Sequence, residues 1–217
     1  MGNTTLKKML AIIINLSIVI MEIIAFVICY QKDGLSCFQY YTQDSNLFLM
    51  VTSFIFLIYE IINLKTKEEI PHWVSILKYS ATTCVTTTFL VVVTVLAPIM
   101  GGYKAMMLDG TMLYHHLICP ILAFVSFIFL ENHKIGGSKD ALIAMIFTVV
   151  YGIIVVALNI FKIMNGPYPF LRVYEQSLLM SIMWVILMNG SAYLLNLFMA
   201  YLTKLVNKME VKLDAKC

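Results

Sequence analysis

Apolar residues run along this chain in long blocks, broken by short polar connections. A bilayer core about 30 Å thick needs roughly 20 apolar residues per helix. Six blocks of that size occur, at about 9–29, 46–64, 74–100, 114–131, 141–163 and 176–203. In lipid each backbone N–H and C=O must bond internally, so blocks of this length predict helices rather than strands. The expected fold class is all-α: a polytopic integral membrane protein, a single six-transmembrane-helix bundle over residues 1–217.

Composition agrees. The 217 residues are 61% hydrophobic and 12% charged, with a mean hydropathy of +0.88, far from the composition of a soluble domain. Very little arginine beside much lysine and isoleucine points to an AT-rich bacterial genome, hence to a bacterial cell membrane. Eleven cationic residues (Lys7, Lys8, Lys65, Lys67, Lys78, Lys134, Lys139, Lys204, Lys208, Lys212, Lys216) fall at the first end, the even connections and the tail, against four (Lys32, Lys104, Lys162, Arg172) at the odd connections. Cationic residues favour the cytoplasmic side, so both termini are expected there. The net charge of +3 then describes sidedness, and no nucleic-acid partner is implied.

The first block ends at ICYQKDG without a small-x-small cleavage site and reads as helix 1 rather than a signal peptide. Gly2 is present, but Leu6 breaks the myristoylation pattern, and Cys217 has no prenylation box. Cys29 and Cys37 can meet on the outer side; the cysteines lack metal-site spacing, and neither metal nor cofactor is implied.

The outward connections, 30–45, 101–113 and 164–175, carry the unusual chemistry. FQYYTQDSN (38–46) gathers Thr42, Gln43, Asp44, Ser45 and Asn46 before the second block. Such residues commonly cap a helix through their side-chain oxygens. The same helix start offers free N–H groups and partial positive charge, which suit an oxyanion beside a hydroxyl nucleophile. A hydroxyl needs a base within hydrogen-bond reach. LYHHLICP (113–120) supplies His115 and His116 on the same side of the membrane. Adjacent helical residues lie about 100° apart, so regular helix geometry does not choose between them, and interfacial wetting of the helix end is the competing reading.

FQYYT before helix 2, the His pair followed by Pro120 in helix 4, and GPYPFLR (166–172) before helix 6 resemble the androgen-induced and androgen-dependent membrane hydrolases and their bacterial six-helix relatives. The resemblance spans all six helices in order. It implies hydrolysis of fatty acid esters of hydroxy fatty acids by a threonine and a histidine within the membrane domain, here Thr42 with His115 or His116. The YPF motif falls on Tyr168, Pro169 and Phe170. The histidine stands five residues before the proline in the animal enzymes, which gives His115, and four in the bacterial relatives, which gives His116. The segment after Thr42 is one residue longer than the animal pattern, so Ser45 competes as nucleophile.

Other polar residues complete the expected site. Ser45, Asn46, Tyr168, Phe170 and Arg172 are candidates for binding substrate, with Arg172 suited to a lipid carboxylate or phosphate or to interfacial anchoring. Glu22, in the middle of helix 1, is a candidate proton carrier or orienting group. Glu60, Asn63 and Lys78 near the inner ends are expected to snorkel. The hydroxyls of TTCVTTTF (82–89) and Asn159, Asn189 and Asn196 are expected to join helices. The leading expectation is an intramembrane threonine hydrolase acting on a lipid or acyl-chain substrate. The 15 Met and 13 Phe suit an adaptable acyl-chain cavity. The rival is a small transporter or lipid-binding membrane protein using the same outward polar cluster.

Overall fold

The computed structural model describes residues 3–131, 133, 135 and 137–214. Gly2, Lys134, Lys216 and Cys217 lie outside the described residues. Every regular element among those described is helical: α1 (Asn3–Asp33), α2 (Tyr41–Thr66), α3 (His72–Ile99), α4 (Leu113–Phe129), α5 (Ser138–Ala144), α6 (Ile146–Ile160) and α7 (Leu178–Asp214). By length and apolarity α1, α2, α3 and α7 can each cross a membrane. The α5–α6 pair, bent by 40°, makes a fifth candidate span. α4 is shorter and apolar. These long apolar helices are compatible with an integral membrane protein.

The helices place small and polar residues inside and large apolar ones outside. On α1, Ala11, Asn15, Ile18, Glu22 and Ala25 are fully buried, whereas Ile13, Leu16, Ile20, Ile23 and Val27 are exposed. That inversion is expected where lipid replaces water around the fold. α3 is the central helix, packed on α2, α4, α5 and α7, and α7 is mostly exposed. One of the threonines expected to mediate packing, Thr83, does so at Asn196. The Asn196 side chain accepts from Thr83 Oγ1 and donates to Ala141 O, and Tyr79 Oη donates to the Asn196 carbonyl. Asn159 instead bonds Met164 O and the Val173 N–H in the following loop, and Asn189 bonds Val185 O of its own helix, so neither joins two helices.

The fifth apolar block is broken because α5's carbonyls are claimed from outside. Ser80 Oγ takes Ala144 O at 2.6 Å and Asn196 takes Ala141 O, and the helix bends at the adjacent Met145. Two prolines act on their helices differently. Pro98 and Pro120 have no N–H to give the preceding turn, and that turn widens to π geometry at Val92–Leu96 and at Leu113–Ile118. Lys78 does not snorkel. It is fully buried and donates to Asn15 Oδ1 at 2.6 Å and Ser53 Oγ at 2.8 Å. Asn15, Ser126 and His133 in turn hold Glu131.

Candidate active site

At one end of the bundle α1 and α2 join through a tight 3-10 turn, Gly34–Gln39, which Gly34 opens at φ +58°. α2 begins at Tyr41, earlier than the apolar block suggests, after an extended Tyr40 whose side chain makes no cap bond. Thr42 to Asn46 are therefore inside the helix rather than capping it. The free N–H groups expected to serve an oxyanion are also occupied. Gln43 N and Asp44 N donate to Tyr40 O, and Thr42 N donates to the Tyr168 hydroxyl at 3.3 Å.

The π turn before Pro120 answers which imidazole faces Thr42. Regular helix geometry would swing one of the pair away; the wider turn buries both, His115 fully and His116 at 3% exposure. Thr42 Oγ1 lies 3.1 Å from His116 Nε2. His116 Nδ1 faces Met106 O at 2.5 Å. A carbonyl can only accept, so Nδ1 carries the proton and Nε2 presents its lone pair to the threonine hydroxyl. Threonine hydroxyl, imidazole and a backbone carbonyl thus stand in series, the arrangement that a hydroxyl nucleophile, its base and an orienting group would require.

Tyr168 completes the cluster from the loop before α7, its hydroxyl 3.4 Å from Thr42 Oγ1. Burial pushes its phenol up to about 12, offset in part by the two bonds to Thr42, so at neutral pH it remains an O–H donor. The loop is fixed by Gly166, where a Cβ would meet Leu171 O at 2.5 Å. Phe170 stacks on the Tyr168 ring, with centroids 5.3 Å apart, and leans on Trp184 of α7.

A cavity of about 680 Å³ opens beside Thr42, Gln43, His116 and Tyr168, with Ile28, Leu96, Met100, Met106 and Met112 among its walls. Several expected binding residues do not reach it. Ser45, fully buried, donates to Thr42 O and pairs with Thr88. Asn46 donates to Thr42 O at 2.8 Å and to His115 O at 3.2 Å. Arg172 is spent on Gly166 O and Glu175. Glu22 sits 3.1 Å from His115 Nδ1, without hydrogen-bond alignment and away from Thr42. Cys29 and Cys37 do converge on the cavity wall, as free thiols. The Met106 carbonyl has no signature in sequence, because any residue would supply it.

The fold and site together define a helical bundle, compatible with membrane insertion, that pairs a buried hydroxyl with an oriented imidazole. Comparison with known proteins finds no matching family model, no similar curated protein and no similar solved structure.

Proposed function

We propose that this protein is a six-span intramembrane hydrolase, with both termini cytoplasmic, that cleaves carboxylic esters of lipids such as fatty acid esters of hydroxy fatty acids. The observation that carries the reading is the 3.1 Å contact between Thr42 Oγ1 and His116 Nε2 beside a cavity with apolar walls at Ile28, Leu96 and three methionines and polar ones at Lys32, Asp33 and Asp109. The sixth span is α4, since helices of about 17 residues are at the short limit for crossing a bilayer. The His116 spacing of four residues before Pro120 matches the bacterial form of the resemblance noted above.

Thr42 Oγ1 attacks the ester carbonyl carbon while its proton passes to His116 Nε2. The negative charge on the former carbonyl oxygen is met by the Tyr168 O–H. The alcohol leaves with the proton from His116, and an acyl group remains on Thr42. Water, deprotonated by His116, then attacks that acyl carbon, releases the fatty acid and restores the threonine. The methionine-lined cavity suits one acyl chain by adaptable packing. The rival reading as a transporter or lipid-binding protein leans on Glu22, which does not line this cavity.

Mutant kinetics test the assignment. Thr42→Ala and His116→Ala should each abolish hydrolysis of a lipid ester in folded protein, and the double mutant should be no worse than either, because a nucleophile and its base act as a unit. His115→Ala should retain turnover. Equal loss in His115→Ala and none in His116→Ala would reject His116 as the base.

A further inference from the structure

α1 carries a polar residue at every seventh position: Lys8, Asn15, Glu22 and Cys29. Seven residues are about two turns, so these side chains stack on one face roughly 10 Å apart. Asn15 and Glu22 are fully buried and Cys29 is nearly so. The stripe joins two cavities at opposite ends of the bundle. Cys29 lines the cavity beside Thr42, and Lys8 lines a second one of about 130 Å³ with Glu60 and Glu131.

Two buried imidazole and carboxylate pairs lie along this axis, one at His115, adjacent in sequence to His116 of the first cavity, and one with its carboxylate, Glu131, on the wall of the second. His115 Nδ1 is 3.1 Å from Glu22 Oε2, and His133 Nε2 is 2.7 Å from Glu131 Oε2. The Cys119 thiol lies beside Glu22 and within electrostatic reach of Lys78, and Lys78 is tied through Asn15 to Glu131. Between Asn15 and Glu22 on α1, Ile18 packs with Leu49, Ala81, Val85, Ala123 and Cys119, an apolar cluster that interrupts the column on α1.

Burying ionisable groups costs several kcal/mol each, and helix packing alone does not call for them. The Glu131 cluster recovers that cost through bonds to Asn15, Ser126 and His133. The Glu22 pair recovers less: Glu22 and His115 face each other at 3.1 Å without hydrogen-bond alignment, with the Cys119 thiol as the other polar neighbour of Glu22, and no N–H or O–H of another residue reaches either group. Buried polar atoms of this kind are satisfied by water, and a carboxylate, an imidazole and water together can pass protons. The hydrolytic chemistry uses neither group, because the Met106 carbonyl already orients His116.

We propose that this column is a proton pathway through the bundle, running from the cavity beside Thr42 through His115 and Glu22, then Lys78 and Glu131, to the cavity at Glu60, with the Ile18 layer as its barrier. Each step breaks one O–H or N–H bond at the donor and forms one at the acceptor. No bond between heavy atoms changes and nothing is oxidised. The net result is one H⁺ lost on one side and gained on the other, balanced by a counter-ion.

The test uses full-length protein in liposomes that enclose a pH-sensitive dye, with a potassium gradient and valinomycin setting the voltage. No ester is present, so the outcome is independent of the hydrolase reading. Wild-type vesicles should move protons faster than protein-free vesicles. Glu22→Gln should fall at least about tenfold, as loss of a proton-transfer group does, and Glu22→Asp should keep part of the rate. Ile18→Ser should raise it. A wild-type rate no faster than protein-free vesicles, or a Glu22→Gln rate equal to wild type, overturns the pathway; an Ile18→Ser rate no higher than wild type overturns the barrier.

Discussion

Asn46 and Pro120 should be energetically coupled although they lie on different helices. The Cys119 N–H donates to Tyr114 O, five residues back, and Pro120 has no N–H for the next carbonyl. That carbonyl, His115 O, receives the Asn46 amide at 3.2 Å. Asn46→Ala strands a fully buried carbonyl, which costs about 1–3 kcal/mol. Thr42 O, the amide's other acceptor, keeps Ser45 Oγ at 3.0 Å. Hydrogen bonds between membrane helices average only about 0.6 kcal/mol, because the freed groups find other partners; the His115 carbonyl is too deep for that. Pro120→Ala restores the missing N–H, so Asn46→Ala in that background should lose at least about 1 kcal/mol less than in wild type. Thermal unfolding in detergent reads both, at about 2–4 °C per kcal/mol for a chain of this size. Pro120→Ala should also lose hydrolysis while remaining folded, since rewinding the π turn carries His116 away from Thr42. Equal Asn46→Ala losses in the two backgrounds, within about 0.5 kcal/mol, would refute the reasoning.

Two further outcomes follow from the Tyr168 loop. Gly166→Ala sets a Cβ against Leu171 O at 2.5 Å; it should cost about 1–3 kcal/mol in thermal unfolding and slow hydrolysis by displacing Tyr168. Tyr168→Phe should lower ester turnover by about 10²–10³ with a stability loss near 1 kcal/mol. Because burial holds the Tyr168 phenol up to about 12, it stays an O–H donor throughout the neutral range, and the ratio of mutant to wild-type rate should be flat from about pH 6 to 9.

The all-helical class was legible in the apolar blocks, and so were two residues that the fold brings together at the candidate site, because polar residues are few enough in this chain that each one stands out. Thr42 and His116 were both singled out from type and position. What periodicity could not give was the choice of imidazole, since it assumes a regular helix and Pro120 makes an irregular one. The proline was visible; its effect on the turn before it was the signal missed. The expectation of free helix-start donors failed because Tyr168 and the Tyr40 carbonyl, distant or featureless in sequence, satisfy them. Lys78 was misplaced for a related reason. Its partners Asn15 and Ser53 lie on other helices, and apolar blocks do not show which polar residues meet across helices.

The central claim is that Thr42 is a nucleophile activated by His116, and covalent capture tests it most directly. Detergent-solubilised protein treated with a lipid-like fluorophosphonate and digested for mass spectrometry should carry the adduct on Thr42, with labelling lost in His116→Ala and kept in His115→Ala. An adduct on Ser45, or labelling of Thr42 that is as fast in His116→Ala as in wild type, would contradict it.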